Sequence, residues 1–291
     1  MLHTIQNEHL TVIVSEQGAE LQSVLGADGT EYLWQGDPAY WGDRAPNIFP
    51  YVARLTEGSY YLDGEKHHMA IHGIALYRRF SLVRQEENRI CLELTDDVAS
   101  YEQYPRHFSF QVEYALVANA LKITFRVENR DDKTLFFGLG GHPGFRVPLT
   151  DGLRFEDYQL RFAEPCQPKR VGFTADCFLN GKMESYPLRD GQVLPLQHDL
   201  FDEDAIVLTN MAREVILESP KGGHSLTVSY PDMPYLGIWH MPKTDAPYVC
   251  IEPWSSLPSS AGKIAVFEEQ ADLLQLKPGG TFENTWHIEI T

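Results

Sequence analysis

Apolar and polar residues alternate one by one over long stretches of this chain. Leu121-Lys122-Ile123-Thr124-Phe125-Arg126-Val127-Glu128 holds the alternation throughout. That two-residue period belongs to a strand with one face buried and one face wet. Asp-Gly pairs at Asp28-Gly29, Asp63-Gly64 and Asp190-Gly191 each sit between β-prone stretches, which predicts tight hairpins, and Gly222-Gly223 marks a further turn. Helical character is confined to short pieces, chiefly Ser100–Tyr104 before Pro105 and the turn before Phe201. No strand–helix–strand rhythm appears, so a parallel doubly wound sheet is not expected. Many antiparallel strands without helices between them predict an all-β fold, a large antiparallel sandwich whose long connections can build a cleft. No internal repeat, low-complexity tract or flexible linker divides the chain, so residues 1–291 are expected to form a single domain.

Composition narrows the partners. With 43% hydrophobic residues in 291, a large core can be buried. Lysine plus arginine number 24 against 41 aspartates and glutamates, a formal charge of −17. Such a surface repels nucleic acid phosphates and anionic lipid, whereas a neutral ligand is indifferent to it. The opening Met1-Leu2-His3-Thr4-Ile5-Gln6-Asn7-Glu8 is neither basic nor apolar, and no segment reaches the roughly 20 apolar residues of a membrane span. The expected setting is the cytoplasm, with no membrane and no nucleic acid as partner. Cys91, Cys166, Cys177 and Cys250 are widely spaced and offer no Cys-x-x-Cys pair, so isolated thiols are expected.

Four motifs carry candidate chemistry. Gly140-Gly141-His142-Pro143-Gly144-Phe145 frames one histidine with glycines, which supply unusual backbone angles, and a stiffening proline. Rigid presentation of a group that titrates near neutrality suits general acid–base work. Cys250-Ile251-Glu252-Pro253-Trp254 sets a carboxylate between an apolar run and a bulky aromatic, and along a strand Cys250 shares the face of Glu252. Asn47-Ile48-Phe49-Pro50-Tyr51-Val52-Ala53-Arg54-Leu55 adds a cation, and Ile71-His72-Gly73 adds a second histidine. His142 alone could be a turn histidine, and Glu252 and Arg54 could each serve a structural ion pair. His67, His68 and His72 invite a metal reading, but they lack the helical context of a His-Glu-x-x-His zinc motif, so no metal is expected.

In this order and at these separations, the four motifs resemble the aldose 1-epimerases (galactose mutarotases), in particular the mutarotase-related and LacX-like branch. The resemblance covers nearly the whole chain and implies a twisted β-supersandwich. It implies Glu252 as catalytic base, His142 as acid, and Arg54 and His72 as groups that bind the sugar and steady charge. A further acid that holds sugar hydroxyls falls within Leu200–Val207 and is assigned to Asp204, with Asp202 as rival. Among aromatics next to candidate polar residues, Trp239, Trp254 and Phe145, Trp239 is the first choice for a ring lining the cleft.

Interconverting the anomers of an aldose needs one base for the anomeric hydroxyl and one acid for the ring oxygen, with no cofactor. The expected partner is a small-molecule aldose, and the expected assembly a monomer or homodimer. Related sugar-phosphate mutarotases carry a phosphate-holding arginine shortly after His-Gly. Here Leu76 stands at that place and Arg78 and Arg79 follow, which favours an unphosphorylated hexose over a hexose 6-phosphate. A non-catalytic carbohydrate-binding protein of the same fold is the alternative of another class. Glycoside hydrolysis, which needs two carboxylates, ranks behind epimerisation. A carboxylate beside His142 is expected to lift the imidazole above its ordinary value of about 6.5, placing the alkaline limb of activity on that histidine.

Overall fold

A computed structural model describes residues 1–291. Two large antiparallel sheets dominate it. One has nine strands, in the order Val193–Pro195, Gln159–Phe162, Glu214–Glu218, Leu226–Ser229, Thr281–Ile290, Ala120–Asn129, Phe108–Val117, Arg89–Thr95 and Ser81–Gln85. The other runs from Leu179–Ser185 through Lys169–Phe173, Ile206–Thr209, Tyr235–Trp239, Tyr248–Trp254 and Gly140–Gly141 to Asn47–Ile48, with Gly144–Arg146 also paired to Tyr248–Trp254. Leu2–Gln6, Leu10–Ser15 and Leu21–Gly26 form a separate meander. The fold is all-β, as the alternation predicts.

The alternating segment lies in the middle of the nine-stranded sheet, where Leu121, Ile123, Phe125 and Val127 face a core of 65 buried residues. Asp63-Gly64 turns Ser59–Leu62 directly into Glu65–His68, and both turn residues have positive φ (54° and 79°), the geometry of a two-residue hairpin. The one α-helix, Val98–Gln103, overlaps the expected Ser100–Tyr104 but starts two residues earlier and leaves Tyr104 as its extended C-terminal cap. Asp97 caps it by accepting a hydrogen bond from the Ser100 N–H. The turn before Phe201 is a short 3₁₀ segment, His198–Phe201.

The strand Tyr248–Trp254 fixes the site, because all seven of its residues are buried. Ile251 and Val249 point into the main core, and the alternate residues Cys250, Glu252 and Trp254 point to the opposite face. Glu252 is paired in register with Gly237, and Gly237 with Val207, so bare backbone lies beside the carboxylate.

The glycines around His142 act differently from the sequence expectation. Gly140, Gly141 and Gly144 are absent from the positive-φ positions, so unusual backbone angles are not what they supply. They supply clearance: a Cβ would stand 2.7 Å from the Pro253 carbonyl at Gly140, 2.5 Å from the Trp286 ring at Gly141, and 3.0 Å from the Trp41 ring at Gly144. The loop is thus pressed between the strand Tyr248–Trp254 and aromatic rings. Gly141→Ala is expected to lose about 1–3 kcal/mol of stability through overpacking against Trp286. Urea unfolding checks this, and an unchanged midpoint would show that the ring gives way freely.

Candidate active site

A cavity of about 260 Å³ opens on the outer face of the eight-stranded sheet and gathers residues from all four motifs. Arg54, His72, His142, Asp204, Trp239 and Glu252 all line it, and so do Leu76 and Trp254. Asp202 does not; it faces a neighbouring cavity with Lys243 and Asn180. Phe145 is fully buried in the main core, which removes it from the candidate cleft aromatics. The core claims it because Gly144–Arg146 runs along Tyr248–Trp254 and places Phe145 on the inner face. Trp41 carries no sequence signal of its own, yet its indole lies 4.9 Å from the His142 ring and edge-on to Trp239 at 5.6 Å.

Glu252 and His142 form the centre. Glu252 is 1% exposed and His142 9%. His142 Nε2 lies 3.2 Å from Glu252 Oε2. The His142 backbone N–H donates to the Pro46 carbonyl at 3.0 Å, and the N–H of Ile251 donates to the Pro143 carbonyl, so the loop is tied on both sides. His142 Nδ1, Glu252 Oε2 and Trp254 Nε1 are buried without a hydrogen-bond partner within the protein. Unsatisfied polar atoms of this kind are expensive in a folded core, and their convergence on one cavity marks a place for a polar ligand.

Burial sets the charge state here. Desolvation, reinforced by the nearby negative charge of Asp204 and opposed by the Trp254 indole, raises the Glu252 carboxyl well above its ordinary range. Desolvation likewise lowers His142 to about 4, against smaller contributions from its backbone setting and Asp204. The expected upward shift of the imidazole is therefore reversed: removing the ring from water outweighs the neighbouring acid. Both shifts favour the neutral forms, a protonated carboxyl beside an unprotonated imidazole.

His72 is held from two directions. Its N–H donates to the Ala53 carbonyl at 3.0 Å, and the Ala53 N–H donates to His72 Nδ1 at 3.3 Å. With Nδ1 accepting, Nε2 carries the hydrogen of a neutral ring, and burial together with the nearby His142 and Arg54 keeps the ring's pKa well below 6.5. The turn that presents it requires Gly73, where φ is 83° and a Cβ would sit 2.2 Å from the Phe49 carbonyl oxygen. His67 and His68 do not join it: His68 Nδ1 bonds Ser59 Oγ at 2.9 Å, and His67 packs on Tyr60. The side chain of Arg54 makes no ion pair, unlike a structural arginine. Asp204, at φ 75°, accepts a hydrogen bond from Cys177 Sγ at 2.7 Å.

Both later arginines are engaged elsewhere. Arg78 pairs with Asp97 at 3.6 Å, and Arg79 Nε donates to Glu16 at 2.7 Å, while Leu76 is the residue from this segment on the cavity wall.

A β-supersandwich with such a cleft is the galactose mutarotase-like fold. The structure matches a galactose mutarotase related enzyme from Lactobacillus acidophilus with a TM-score of 0.95 and 33% identity, covering 100% of this chain and 97% of that one. It matches a galactose mutarotase-like protein from Lactobacillus casei with a TM-score of 0.93 and 31% identity, covering 100% of both. Protein LacX of Lactococcus lactis subsp. lactis is 31% identical over 296 residues, 98% of each chain. The aldose 1-epimerase family matches residues 1–289, and the chain belongs to that family.

A buried carboxyl with a raised pKa contributes stability that is fully present below about 4.5 and is lost as pH rises through its folded value. Replacing it by a neutral isostere removes that loss. Glu252→Gln is therefore expected to be more stable than the wild type at pH 8, with the difference closing as pH falls toward 4.5. Urea titrations across this range test it; a Glu252→Gln protein less stable at pH 8 would mean that the native state gains from the ionised carboxylate.

Proposed function

We propose that this chain is an aldose 1-epimerase that interconverts the α and β anomers of a free hexose, with Glu252 as base and His142 as acid. Residues 1–291 are proposed to act as one domain, which the 65-residue core spanning both ends of the chain supports. A cytoplasmic setting fits four cysteines that are all free, and no helix is long and apolar enough to cross a membrane. The observation that carries the reading is the 3.2 Å contact between one carboxyl and one imidazole at the floor of a cavity lined by an uncommitted arginine.

An acid and a base this close can serve two oxygens bonded to one carbon, which is what the anomeric hydroxyl and ring oxygen of a pyranose are. Before reaction the shared proton moves from Glu252 to His142 Nε2 without exchange with solvent. Sugar oxygens then replace the water that the buried pair has lost, and Glu252 takes the anomeric proton as His142 protonates the ring oxygen. The ring opens, the aldehyde rotates, and closure on the other face reverses the two transfers. Arg54 and the Nε2–H of neutral His72 stabilise charge that develops on sugar oxygens. Asp204 accepts from hydroxyls, and Trp239 offers a ring to the apolar C–H face. Glycoside hydrolases separate their carboxyl groups by about 5–9.5 Å to flank a glycosidic bond, a different arrangement from a contacting carboxyl–imidazole pair.

Glu252→Gln and His142→Asn are each expected to lower anomer exchange about 10²–10⁴-fold while the protein stays folded. Polarimetry on freshly dissolved α-glucose and α-galactose, with circular dichroism as the folding control, decides it. Turnover near the wild-type value in folded Glu252→Gln would also return the chain to carbohydrate binding without catalysis.

Because one proton is shared, the pH dependence belongs to the pair. Activity should fall when the pair gains a second proton and when it loses the first, giving a bell in kcat/KM. His72→Asn should lower the rate and keep the bell, whereas His142→Asn should leave a single limb. A bell that survives in His142→Asn and vanishes in His72→Asn would reverse the two roles.

With Leu76 on the wall and Arg78 and Arg79 tied to acids, the cavity lacks a free cation at that end for a phosphate. Neutral hexoses are expected to give higher kcat/KM than their 6-phosphates. A preference for glucose 6-phosphate would show that a cation is recruited on binding.

A further inference from the structure

The proposed reaction leaves one group at the site unused. Cys250 shares the strand and face of Glu252, is fully buried, and makes no disulfide. Its sulfur, a ring nitrogen of His142 and a carboxyl oxygen of Glu252 lie within 4.8 Å of one another. Glu252 Oε2, on a side chain only 1% exposed, has no hydrogen-bond partner, and neither has His142 Nδ1. Sequence spacing gives no sign of this cluster, since His142 lies far upstream and two ligands on one strand do not make a zinc motif.

We propose that Cys250, His142 and Glu252 form a binding site for zinc, and that an ion bound there switches the cleft off. The site itself stands on the geometry alone; only the inhibition rests on the acid–base reading. One thiolate, one imidazole and one carboxylate form a borderline-soft donor set that suits tetrahedral Zn²⁺ and not the all-oxygen preference of Mg²⁺ or Ca²⁺. Ordinary zinc bond lengths put neighbouring donors about 3.3–3.7 Å apart, so the three donors, within 4.8 Å of one another, would draw closer around the ion. Cys250 lies behind the cavity wall while His142 and Glu252 line it. The ion therefore enters through the cavity, and its fourth position faces the space proposed for the sugar, where water completes the coordination.

Binding is balanced by proton release. The Cys250 thiol gives up its proton to form the Zn–S bond, the Glu252 carboxyl gives up its proton to form the Zn–O bond, and His142 binds as neutral imidazole. No electrons are transferred, and affinity rises with pH. With the Glu252 oxygen on the metal, no base remains for the anomeric hydroxyl.

Cobalt substitution in the intact wild-type protein tests the site without any assay of activity. One equivalent of Co²⁺ should give tetrahedral d–d bands with a thiolate-to-cobalt charge-transfer absorption, and Zn²⁺ should displace it. A wild-type spectrum without that charge-transfer band overturns the proposal. Competition with a chromogenic chelator should show zinc held more than about 100-fold more weakly by Cys250→Ala, since even an outer-shell partner is worth about 10–100-fold. Cys177→Ala, the control for the other cleft thiol, should bind zinc as the wild type does. If Cys177→Ala loses the band and Cys250→Ala keeps it, the site is not the one proposed. In the activity arm, Zn²⁺ should stop anomer exchange, EDTA should restore it, and Cys250→Ala should exchange anomers in the presence of Zn²⁺. Zinc bound at the cluster with exchange unaffected overturns the inhibition. A cobalt spectrum as expected from a wild-type protein that exchanges no anomers leaves the metal site in place and overturns the acid–base reading.

Discussion

The site depends on keeping one carboxyl out of water. An isolated carboxylate in a protein interior is so costly that the group neutralises instead, and Glu252 is held where that choice is forced. The cost is limited because burial drives the carboxyl toward its neutral form and leaves His142, 3.2 Å away, unprotonated beside it. A neutral pair can be buried at modest expense; in the proposed reaction it becomes reactive when polar oxygens of the sugar take the place of water. The buried atoms without partners, His142 Nδ1, Glu252 Oε2 and Trp254 Nε1, follow from this arrangement.

Holding such a pair needs rigid support, and the surrounding backbone supplies it with some strain. Of the eleven non-glycine residues at positive φ, four line the cavity: Ala53, His72, Cys177 and Asp204. Each such residue costs free energy and persists only where its surroundings over-determine it. The reciprocal hydrogen bonds of Ala53 and His72 show how this is done. The strand Tyr248–Trp254 connects site and core, since Val249 and Ile251 anchor it from one face while Cys250 and Glu252 are carried on the other. Loss of packing at the anchors would move the acid–base pair directly.

Much of the fold was legible in the sequence because it is built from local signals. Strand alternation at 121–128 and the Asp-Gly turns act over a few residues, and each has a fixed physical consequence. The polar cavity residues were found because each sits in a distinctive local frame. What escaped detection was non-local. Trp41 lies in an irregular stretch, and its contact with His142 exists only once the N-terminal segment folds over the sheet. The glycines beside His142 were recognised as constrained, yet their reason is the approach of Trp286 and Pro253 from distant strands, and not backbone angle. The pKa of His142 was misread for the same cause: the neighbouring acid was expected, but the depth of burial that outweighs it is a property of the assembled sheets.

Charge then sorts what the cavity can receive. The protein carries −17 overall, and four carboxyl groups, Asp43, Glu203, Asp204 and Glu252, line the cavity beside a single arginine. Arg78 and Arg79, which follow the cavity-lining Leu76 and Tyr77, are tied to Asp97 and Glu16. A dianionic phosphate would have to break one of those pairs or approach four carboxyl groups with Arg54 alone to offset them, and the long-range field opposes it at every distance. A neutral polyol meets none of these costs, which is why the proposed substrate is an uncharged hexose. The same acidity has the opposite effect on cations: it draws them toward the cavity, where a thiol, an imidazole and a carboxyl already converge. The two proposals, a neutral sugar as substrate and a soft cation at the cluster, thus rest on one charge distribution.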